Sequence, residues 1–262
     1  MHKEATKFNF SEGRIKTVLT KDGEEYQANQ FISGIHPYQT MEMIEQGNIR
    51  KAYRNRLQNL SNTMSTFSLH IALEDRKIPY MNYNYYYYPM GDVWGLTYYD
   101  PGEFPQCFGI YPIADSMDEK YTRGMSVLAF MDYDEVLRWE NNRVEERGEE
   151  YEAFKEAKSI QILSKLKNIF PEIHENIKSY SSSTPLTLRD YTGTHRGATY
   201  GIERDYRFPN NSLLFPGTKV PNLFLTGQNL SLHGMLGVSI GALLTCSEFI
   251  NLNELLKEIN YA

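Results

Sequence analysis

Residues 222–241 read NLFLTGQNLSLHGMLGVSIG, a short apolar run, then a glycine, two amides, a polar loop and a second apolar run rich in small residues. This order predicts a buried strand, a loop that begins at Gly227 and a helix. Gly234, Gly237 and Gly241 are three and four residues apart, so they share one face of that helix. A face without side chains permits close approach of a backbone or a ligand.

The N-terminal end of the predicted helix could hold an anion. Its first backbone N–H groups lack intrahelical acceptors, and the positive end of the helix dipole, about half a unit charge, lies beside them. The alternative is that the glycines only allow the helix to pack on a sheet, and their spacing does not separate the two interpretations.

Outside this stretch, strand patterns dominate the first half of the chain. Residues 14–32 predict two strands joined by a turn at Asp22-Gly23. One antiparallel sheet is predicted from four apolar or aromatic runs, at residues 64–73, 83–88, 107–111 and 125–130. The predicted fold class is α/β in the α+β sense, with a mixed antiparallel sheet, flanking helices and the C-terminal strand and helix of a cofactor domain.

Helical patterns occupy three further regions. Residues 40–62 predict two helices joined near Gly47, and residues 149–170 predict one long helix. The apolar stripe assigned to the long helix is Phe154, Ala157, Ile160, Leu163, Leu166 and Phe170. Residues 184–206, dense in Thr, Gly, Arg and Tyr, predict a loop-rich stretch.

Composition excludes several classes of function. The chain has 262 residues, 41% of them hydrophobic, a formal net charge of -6 and a pI near 5.6. These values indicate a globular protein without the basic surface that nucleic acid requires. The six histidines lack Cys or carboxylate partners at ligand spacing, so the sequence predicts no metal site.

The two cysteines and the N-terminal residues bear on location. Cys107 and Cys246 fit reduced thiols, and Cys246 stands in an apolar stretch where we expect it to pack. Residues 1–10 lack the apolar core of a signal peptide, and no apolar run reaches the length of a membrane span. We therefore expect a cytoplasmic protein, and the sequence leaves a peripheral membrane contact open.

Two sequence blocks in order resemble the phytoene desaturase and retinol saturase group of FAD-dependent oxidoreductases. The late block comprises LTGQN at 225–229, HGMLG at 233–237 and GALL at 241–244. The earlier block comprises PLTLRDYTG at 185–193 and GATYG at 197–201, and a weaker match runs from GEE at 23–25 to FISG at 31–34. The resemblance covers nearly the whole chain.

The resemblance implies a bound FAD. Gly227 would let the backbone approach the ribityl and pyrophosphate region, and Gln228 or Asn229 would replace the acidic residue that usually bonds the ribityl hydroxyls. Two roles are left open for His233: it is a neighbour of the flavin, or it only fills the loop. The implied cofactor-binding set is Gly227, Gln228, Asn229, Gly234, Met235, Leu236 and Gly237.

The resemblance also implies a substrate, a polyene or isoprenoid whose carbon–carbon bond exchanges a hydride with the flavin. It identifies no catalytic residue. Tyr85 and Tyr87 share one face of an aromatic strand that could line an apolar channel, although core packing is the commoner role. The implied substrate-binding set is Tyr85, Tyr87, Thr192, Gly193 and Tyr200.

The same resemblance divides the chain into three parts. Residues 1–35 would be a strand pair of the FAD-binding domain, residues 36–183 the substrate-binding domain, and residues 184–262 a return to the FAD-binding domain. The Gly-x-Gly-x-x-Gly turn that opens the other half of such enzymes has no counterpart in the sequence. We therefore expect the C-terminal half of such an enzyme, as a fragment, a truncated form or one subunit of a split enzyme, and FAD binding by this chain alone is left open.

Two other classes of function fit the sequence. One is a non-catalytic remnant or partner subunit that associates with another chain, or with copies of itself, through an exposed sheet edge and apolar surface. The other is a tyrosine-rich ligand-binding module without a flavin, in which the face of residues 83–88 opens to solvent.

Overall fold

A computed structural model describes residues 3–88, 93 and 99–261, and the chain divides into two compact units. The first unit contains residues 1–63, 193–195 and 200–262, and the second contains residues 64–192 and 196–199. Antiparallel sheets and helices occur together, so the predicted mixed α/β fold class is confirmed. The three-part domain assignment made from the sequence stays a prediction.

The elements follow one another in an irregular alternation of strands and helices. The strands are β1 (Ala5–Ser11), β2 (Arg14–Thr20), β3 (Glu25–Gln27), β4 (Phe31–Ser33), β5 (Ser65–Leu73), β6 (Tyr85–Tyr87), β7 (Phe108–Ala114), β8 (Thr122–Met131), β9 (Ile177–Ser183) and β10 (Leu223–Leu225). The helices are α1 (Pro37–Glu42), α2 (Lys51–Gln58), α3 (Glu149–Ile169), α4 (Pro171–Glu175), α5 (Pro185–Thr192), α6 (Pro209–Ser212), α7 (Gly234–Cys246) and α8 (Leu252–Tyr261).

The first unit holds an antiparallel sheet in the order β1-β2-β3 and a parallel pair of β10 with β4. Glu12 and Gly13 both have positive φ, 51° and 74°, which is the conformation of the tight turn between β1 and β2. Strand β1 was missed in the sequence because only Phe8 and Phe10 interrupt its polar residues. The core of this unit is formed by Phe8, Ile15, Met41, Ile44, Ile49, Leu57, Ile202, Leu214, Val220, Leu223, Leu225 and Leu230.

The second unit is built on the five-stranded sheet β6-β7-β8-β5-β9. Adjacent strands run antiparallel, with Leu69 opposite Val127 and Tyr86 opposite Gly109. The predicted single antiparallel sheet is therefore confirmed, with β9 as a fifth strand. Helix α3 adds Ile162 and Leu166 to the core that covers this sheet.

The predicted apolar stripe of α3 is confirmed at Leu166, which is buried, and its other apolar members differ in environment. Three pack against the core and are partly buried (Phe154, Leu163 and Phe170), whereas Ala157 and Ile160 are exposed, so the prediction is wrong at those two positions. Ile160 is exposed, whereas Tyr151, Ile162 and Leu166 are buried. At 100° per residue, positions 151, 155, 158, 162 and 166 line up, and residue 160 lies on the opposite side. Lys158 lies on the buried face because its Nζ pairs with Glu135 at 2.6 Å.

The predicted loop-rich stretch at 184–206 contains helix α5. Thr184 starts it, because its Oγ1 accepts a hydrogen bond from the N–H of Leu186 at 3.2 Å, and Pro185 occupies the first helical position. The Thr-Pro pair was the signal in the sequence for this helix start, and the density of turn-forming residues obscured it.

The two cysteines differ in environment. Cys107 is buried, and this burial raises the pKa of its thiol to about 11. Cys246 is exposed at the end of α7, so the expectation that it packs is wrong. In the described part of the chain, none of the helices combines the length and apolar character that a membrane crossing requires.

Candidate functional site

The loop after β10 is anchored to β4 at its start. The N–H of Thr226 donates to the carbonyl oxygen of Ser33 at 2.9 Å. Gly227 follows with φ +89°, a conformation that side chains rarely adopt. The carbonyl of Gly227 then accepts from the N–H of Leu230 at 3.2 Å, which closes a tight turn. Gly227 is therefore required by the backbone of this loop.

Two glycines bring α7 close to the loop. A Cβ at Gly237 would lie 2.6 Å from the backbone of Leu232, and a Cβ at Gly241 would lie 3.4 Å from the carbonyl oxygen of Gly227. Gly237 and Gly241 are buried, whereas Gly234 is exposed, so only two of the three glycines permit a close approach of the backbone. The φ of +76° at Gly234 places this residue outside the regular helix.

The N-terminal end of α7 is open to solvent. His233 makes no side-chain capping bond, and the first turn contains no acidic residue. Met235 is 91% exposed and Leu236 is 74% exposed. The Oγ of Ser231, just before this turn, is buried without a hydrogen-bond partner in the described part of the chain. Free backbone donors at this exposed helix start therefore mark a place where an anionic or carbonyl-bearing group could bind.

The two sequence blocks meet at this loop. The ring of Tyr200 stacks on that of His233, with 4.3 Å between centroids. The Oδ1 of Asn229 accepts from the N–H of Ile202 at 3.0 Å, next to Gly201. The structure thus brings together Tyr200 from the predicted substrate set and His233 from the late block.

The two amides of the loop differ in their freedom to bind a ligand. Asn229 is 6% exposed, and its carboxamide is engaged with the backbone at Ile202. Gln228 is only partly buried. Of the two alternatives for the ribityl contact, the structure leaves Gln228 as the one with an accessible side chain.

The remaining predicted substrate residues are held by local contacts. The Oγ1 of Thr192 donates to the carbonyl of Leu188 at 2.6 Å, which is a bond within α5. The carbonyl of Gly193 accepts from Nε2 of Gln39. Thr192 belongs to the second unit and Gly193 to the first.

Tyr85 and Tyr87 pack against the core of the second unit. The ring of Tyr85 meets Phe170 edge to face, and the ring of Tyr87 stacks on Phe108, each with 5.0 Å between centroids. Tyr86 points the other way and is exposed. These contacts are those of core packing.

A buried histidine near Gly193 was missed in the sequence. His36 donates from Nε2 to Oδ1 of Asn62 at 2.7 Å, and its Nδ1 accepts from the N–H of Tyr38 at 3.1 Å. His195 stacks on Tyr38 with 4.0 Å between centroids. The pKa of His36 is lowered from 6.5 to about 4, mainly because the ring is buried; the bond to Asn62 opposes this shift and the nearby His195 adds to it. The His-Pro pair just before α1 was the available signal, since His36 caps that helix.

Buried charges in the second unit are paired internally. Arg147 bonds to Asp190, which also accepts from Arg189 at 2.7 Å. Glu135 bonds to Lys158 at 2.6 Å and to the hydroxyl of Tyr99. Burial and Glu135 raise the pKa of Tyr99. We interpret these groups as structural, because each ion has its partner.

A cavity of about 830 Å³ in the first unit is lined by residues of α1, α2 and their connection. Its walls include Glu42, Glu45, Lys51 and Arg54. The residues that line it belong to neither sequence block, so the candidate site at the start of α7 is an open surface rather than this cavity.

Comparisons with known proteins agree with the resemblance read from the two blocks. The chain is 30% identical over 230 residues to an all-trans-retinol 13,14-reductase from Danio rerio, covering 80% of this chain and 38% of the relative. It is 28% identical over 266 residues to the Homo sapiens protein of the same name, covering 93% of this chain and 43% of the relative. An inactive all-trans-retinol 13,14-reductase from Danio rerio is 30% identical over 112 residues, 42% of this chain and 18% of that protein. The predicted resemblance to retinol saturases is confirmed.

A solved structure shares the fold of this chain. An oxidoreductase from Methanosarcina mazei superposes with a TM-score of 0.58 at 11% identity, covering 91% of this chain and 47% of that structure. At this identity the match shows the fold alone. No protein-family model matches the sequence. The chain spans about two fifths of the length of the first two relatives and about half of the structure.

Proposed function

Because this chain is similar in sequence to part of the all-trans-retinol 13,14-reductases, we propose that it is part of an FAD-dependent oxidoreductase acting on a carbon–carbon bond of a polyene or isoprenoid. Bound FAD would supply the hydride exchange. The observation that carries the proposal is the uncapped start of α7, beside the buried and unpartnered Oγ of Ser231.

The residues at this surface fit the pyrimidine end of a flavin. Backbone N–H groups of Met235, Leu236 and Gly237 lie in the first turn, where no side chain competes for them. The partly buried Gln228 would offer an amide for the ribityl hydroxyls. Asn229 instead fixes the loop, and Gly227 supplies the turn that positions it.

The protein's contribution at this surface would be to bind and orient. Tyr200, stacked on His233, provides an aromatic wall next to the loop, and it remains 40% exposed. A flat ring system or an apolar chain could lie against it while the exposed side chains of Met235 and Leu236 exclude water. Contact of Tyr85 and Tyr87 with the substrate stays a prediction.

A charge added at the start of α7 tests the flavin assignment. Met235→Glu places a carboxylate in the first turn, where it stabilises the helix but repels the anionic pyrimidine ring of reduced FAD. We expect about tenfold weaker binding of dithionite-reduced FAD, which corresponds to about 1.4 kcal/mol. The measurement is anaerobic ultrafiltration of the purified chain with reduced FAD.

Met235→Gln is the matched control, since it has nearly the same size and no charge. We expect it to bind reduced FAD like the natural sequence. Equal binding by Met235→Glu and Met235→Gln would place the flavin elsewhere. Failure of the natural chain to retain any FAD, reduced or oxidised, would assign the cofactor to a longer or two-chain assembly.

A non-catalytic partner subunit is the second candidate. Two observations favour it: the apolar side chains exposed on α7 and α8, and a relative whose own name calls it inactive. Such a subunit would copurify with another chain and show no flavin absorbance. Light scattering and the visible spectrum of the purified material distinguish it from the enzyme.

A further inference from the structure

Residues 206–215 of the first unit expose four large apolar side chains within a short stretch of chain. They are Tyr206, Phe208, Leu213 and Phe215, and Tyr206 is 90% exposed. Exposed groups of large apolar side chains are uncommon on a protein that acts alone, and they mark interaction surfaces. The segment lies outside both sequence blocks, so the candidate site at the start of α7 does not account for it.

Burial and hydrogen bonds fix the backbone of this segment. Ser212 and Leu214 are buried between the exposed residues. Arg204 donates from Nη1 to the carbonyl of Ser212. Nη2 of Arg56, on α2, donates to the carbonyl of Leu213 at 2.8 Å. The exposed rings are therefore carried on an anchored backbone, which lowers the entropy that a contact through them would cost.

The composition of the segment favours a protein partner over a lipid surface. Residues 206–215 contain Tyr, Phe and Arg but no Lys, Glu or Asp, which is the bias of the centres of protein interfaces. The guanidinium of Arg207 pairs with Asp205 at 2.8 Å, so the exposed apolar side chains lie beside a neutral pair. Attraction to anionic lipids requires a basic polar face, whereas residues 203–215 carry two acids and two arginines.

Opposite charges stand at the two ends of the exposed segment. Arg56 is exposed and lies beside Leu213. Glu203 is also exposed, and it lines a cleft of about 220 Å³ with Ser61 and Phe208. Among the described residues, neither Arg56 nor Glu203 takes part in an ion pair. One cation and one anion are therefore available to a partner.

We propose that residues 203–215 and Arg56 form the two-fold interface of a homodimer. The exposed rings of the two copies pack on each other, and Arg56 of each copy faces Glu203 of the partner subunit. A two-fold axis brings the same surface of both copies together in opposite directions, so the cation at one end meets the anion at the other. A second copy therefore matches this surface in charge as well as in apolar character. The inference is independent of the proposed function, because the dimer needs no flavin.

Exchange of the two charges tests the dimer. Sedimentation equilibrium of the full natural chain at micromolar concentration should show the dimer. Arg56→Glu brings acids of the two copies together and Glu203→Arg brings cations together, so each should raise the dissociation constant about tenfold. The double variant Arg56→Glu/Glu203→Arg restores opposite charges across the axis and should dimerise within about twofold of the natural chain. A substitution that only disturbed the fold would not be rescued in this way.

Apolar substitutions test the centre of the interface. Phe208→Ser/Phe215→Ser should weaken the dimer by about tenfold or more. Met117→Ser/Ile160→Ser, the matched control, removes two exposed apolar side chains of the second unit and should leave the dimer unchanged. A monomeric natural chain, a dimer indifferent to both charge variants, or losses that the double variant does not reverse would overturn the inference. So would a monomer that sediments with phosphatidylglycerol vesicles through Phe208 and Phe215, since the surface would then bind lipid.

Discussion

At the scale of single residues, His36 makes the stability of the first unit depend on pH. Its folded pKa of about 4 is below the ordinary value of 6.5, so protons bind the unfolded chain more tightly. This contribution to stability is complete above pH 6.5 and is lost as the pH falls toward 4. Between pH 8 and pH 5 we expect a loss of about 2 kcal/mol from this group.

The measurement is urea unfolding followed by far-UV circular dichroism at pH 8 and pH 5, with His36→Gln as the variant. An amide keeps a donor toward Asn62 but cannot take up a proton, so the pH-dependent loss should shrink by about 2 kcal/mol. His70, on the exposed side of β5, provides the control His70→Gln. An unchanged pH dependence in His36→Gln would contradict the depressed pKa.

Alanine at position 237 should lower the free energy of unfolding, whereas alanine at position 241 should leave it equal or raise it. A Cβ at residue 237 meets Leu232 backbone at 2.6 Å, so Gly237→Ala must shift the loop and should cost about 1–3 kcal/mol. A Cβ at residue 241 lies 3.4 Å from its nearest neighbour, and the better helix propensity of alanine should leave stability equal or raised by up to about 1 kcal/mol. Thermal unfolding of both variants, with hydrogen exchange at residues 228–232, checks the pair.

At the scale of elements, the sequence predicts strands and helices whose apolar residues recur regularly. It does not predict which polar residues are buried through a bond to a partner distant in sequence. Strands β5, β7 and β8 were predicted because their apolar residues alternate or run together against one core. The buried face of α3 was predicted only in part, because its centre includes the polar residues Lys158 and Ser159, the lysine buried through its bond to Glu135. A partner 23 positions away along the chain leaves no trace in local periodicity.

The observed buried face of α3 predicts that alanine substitution of two isoleucines lowers the free energy of unfolding by unequal amounts. Ile162 is fully buried, so Ile162→Ala should cost about 2–5 kcal/mol. Ile160 is exposed, and Ile160→Ala should stay within about 0.5 kcal/mol of the natural chain. Tryptophan fluorescence during urea unfolding reports this helix, because Trp139 packs on Tyr151 and Phe154. Equal losses of stability in the two variants would instead support the apolar stripe predicted from the sequence, which includes Ile160.

At the scale of the whole molecule, the two sequence blocks were the informative feature. They predicted a strand, loop and helix that the structure contains, and the structure places Tyr200 of one block against His233 of the other. The sequence did not assign a role to each polar residue of the loop after β10. Asn229 and Gln228 are adjacent and chemically alike, and only the fold shows that one is buried against the backbone of Ile202.

Helix α8 predicts how the chain behaves in concentrated solution. Leu252, Leu256 and Ile259 lie four and three residues apart, and all three are exposed on one face. Each of these side chains is 41–52% exposed, so burying the rest between copies is favourable by about 1 kcal/mol each. We therefore expect concentration-dependent self-association, and the double variant Leu256→Lys/Ile259→Lys should raise the concentration of half-association at least tenfold.

The control for this prediction changes charge without touching the apolar face. Glu254→Gln/Glu258→Gln alters the net charge by the same two units as the lysine pair and keeps Leu256 and Ile259. Light scattering across a concentration series should show the control associating like the natural chain, since removal of apolar area and not of negative charge weakens the contact. If the control and the lysine variant dissociate equally, electrostatic attraction by the negative charges governs the association, and the apolar face of α8 has no part in it.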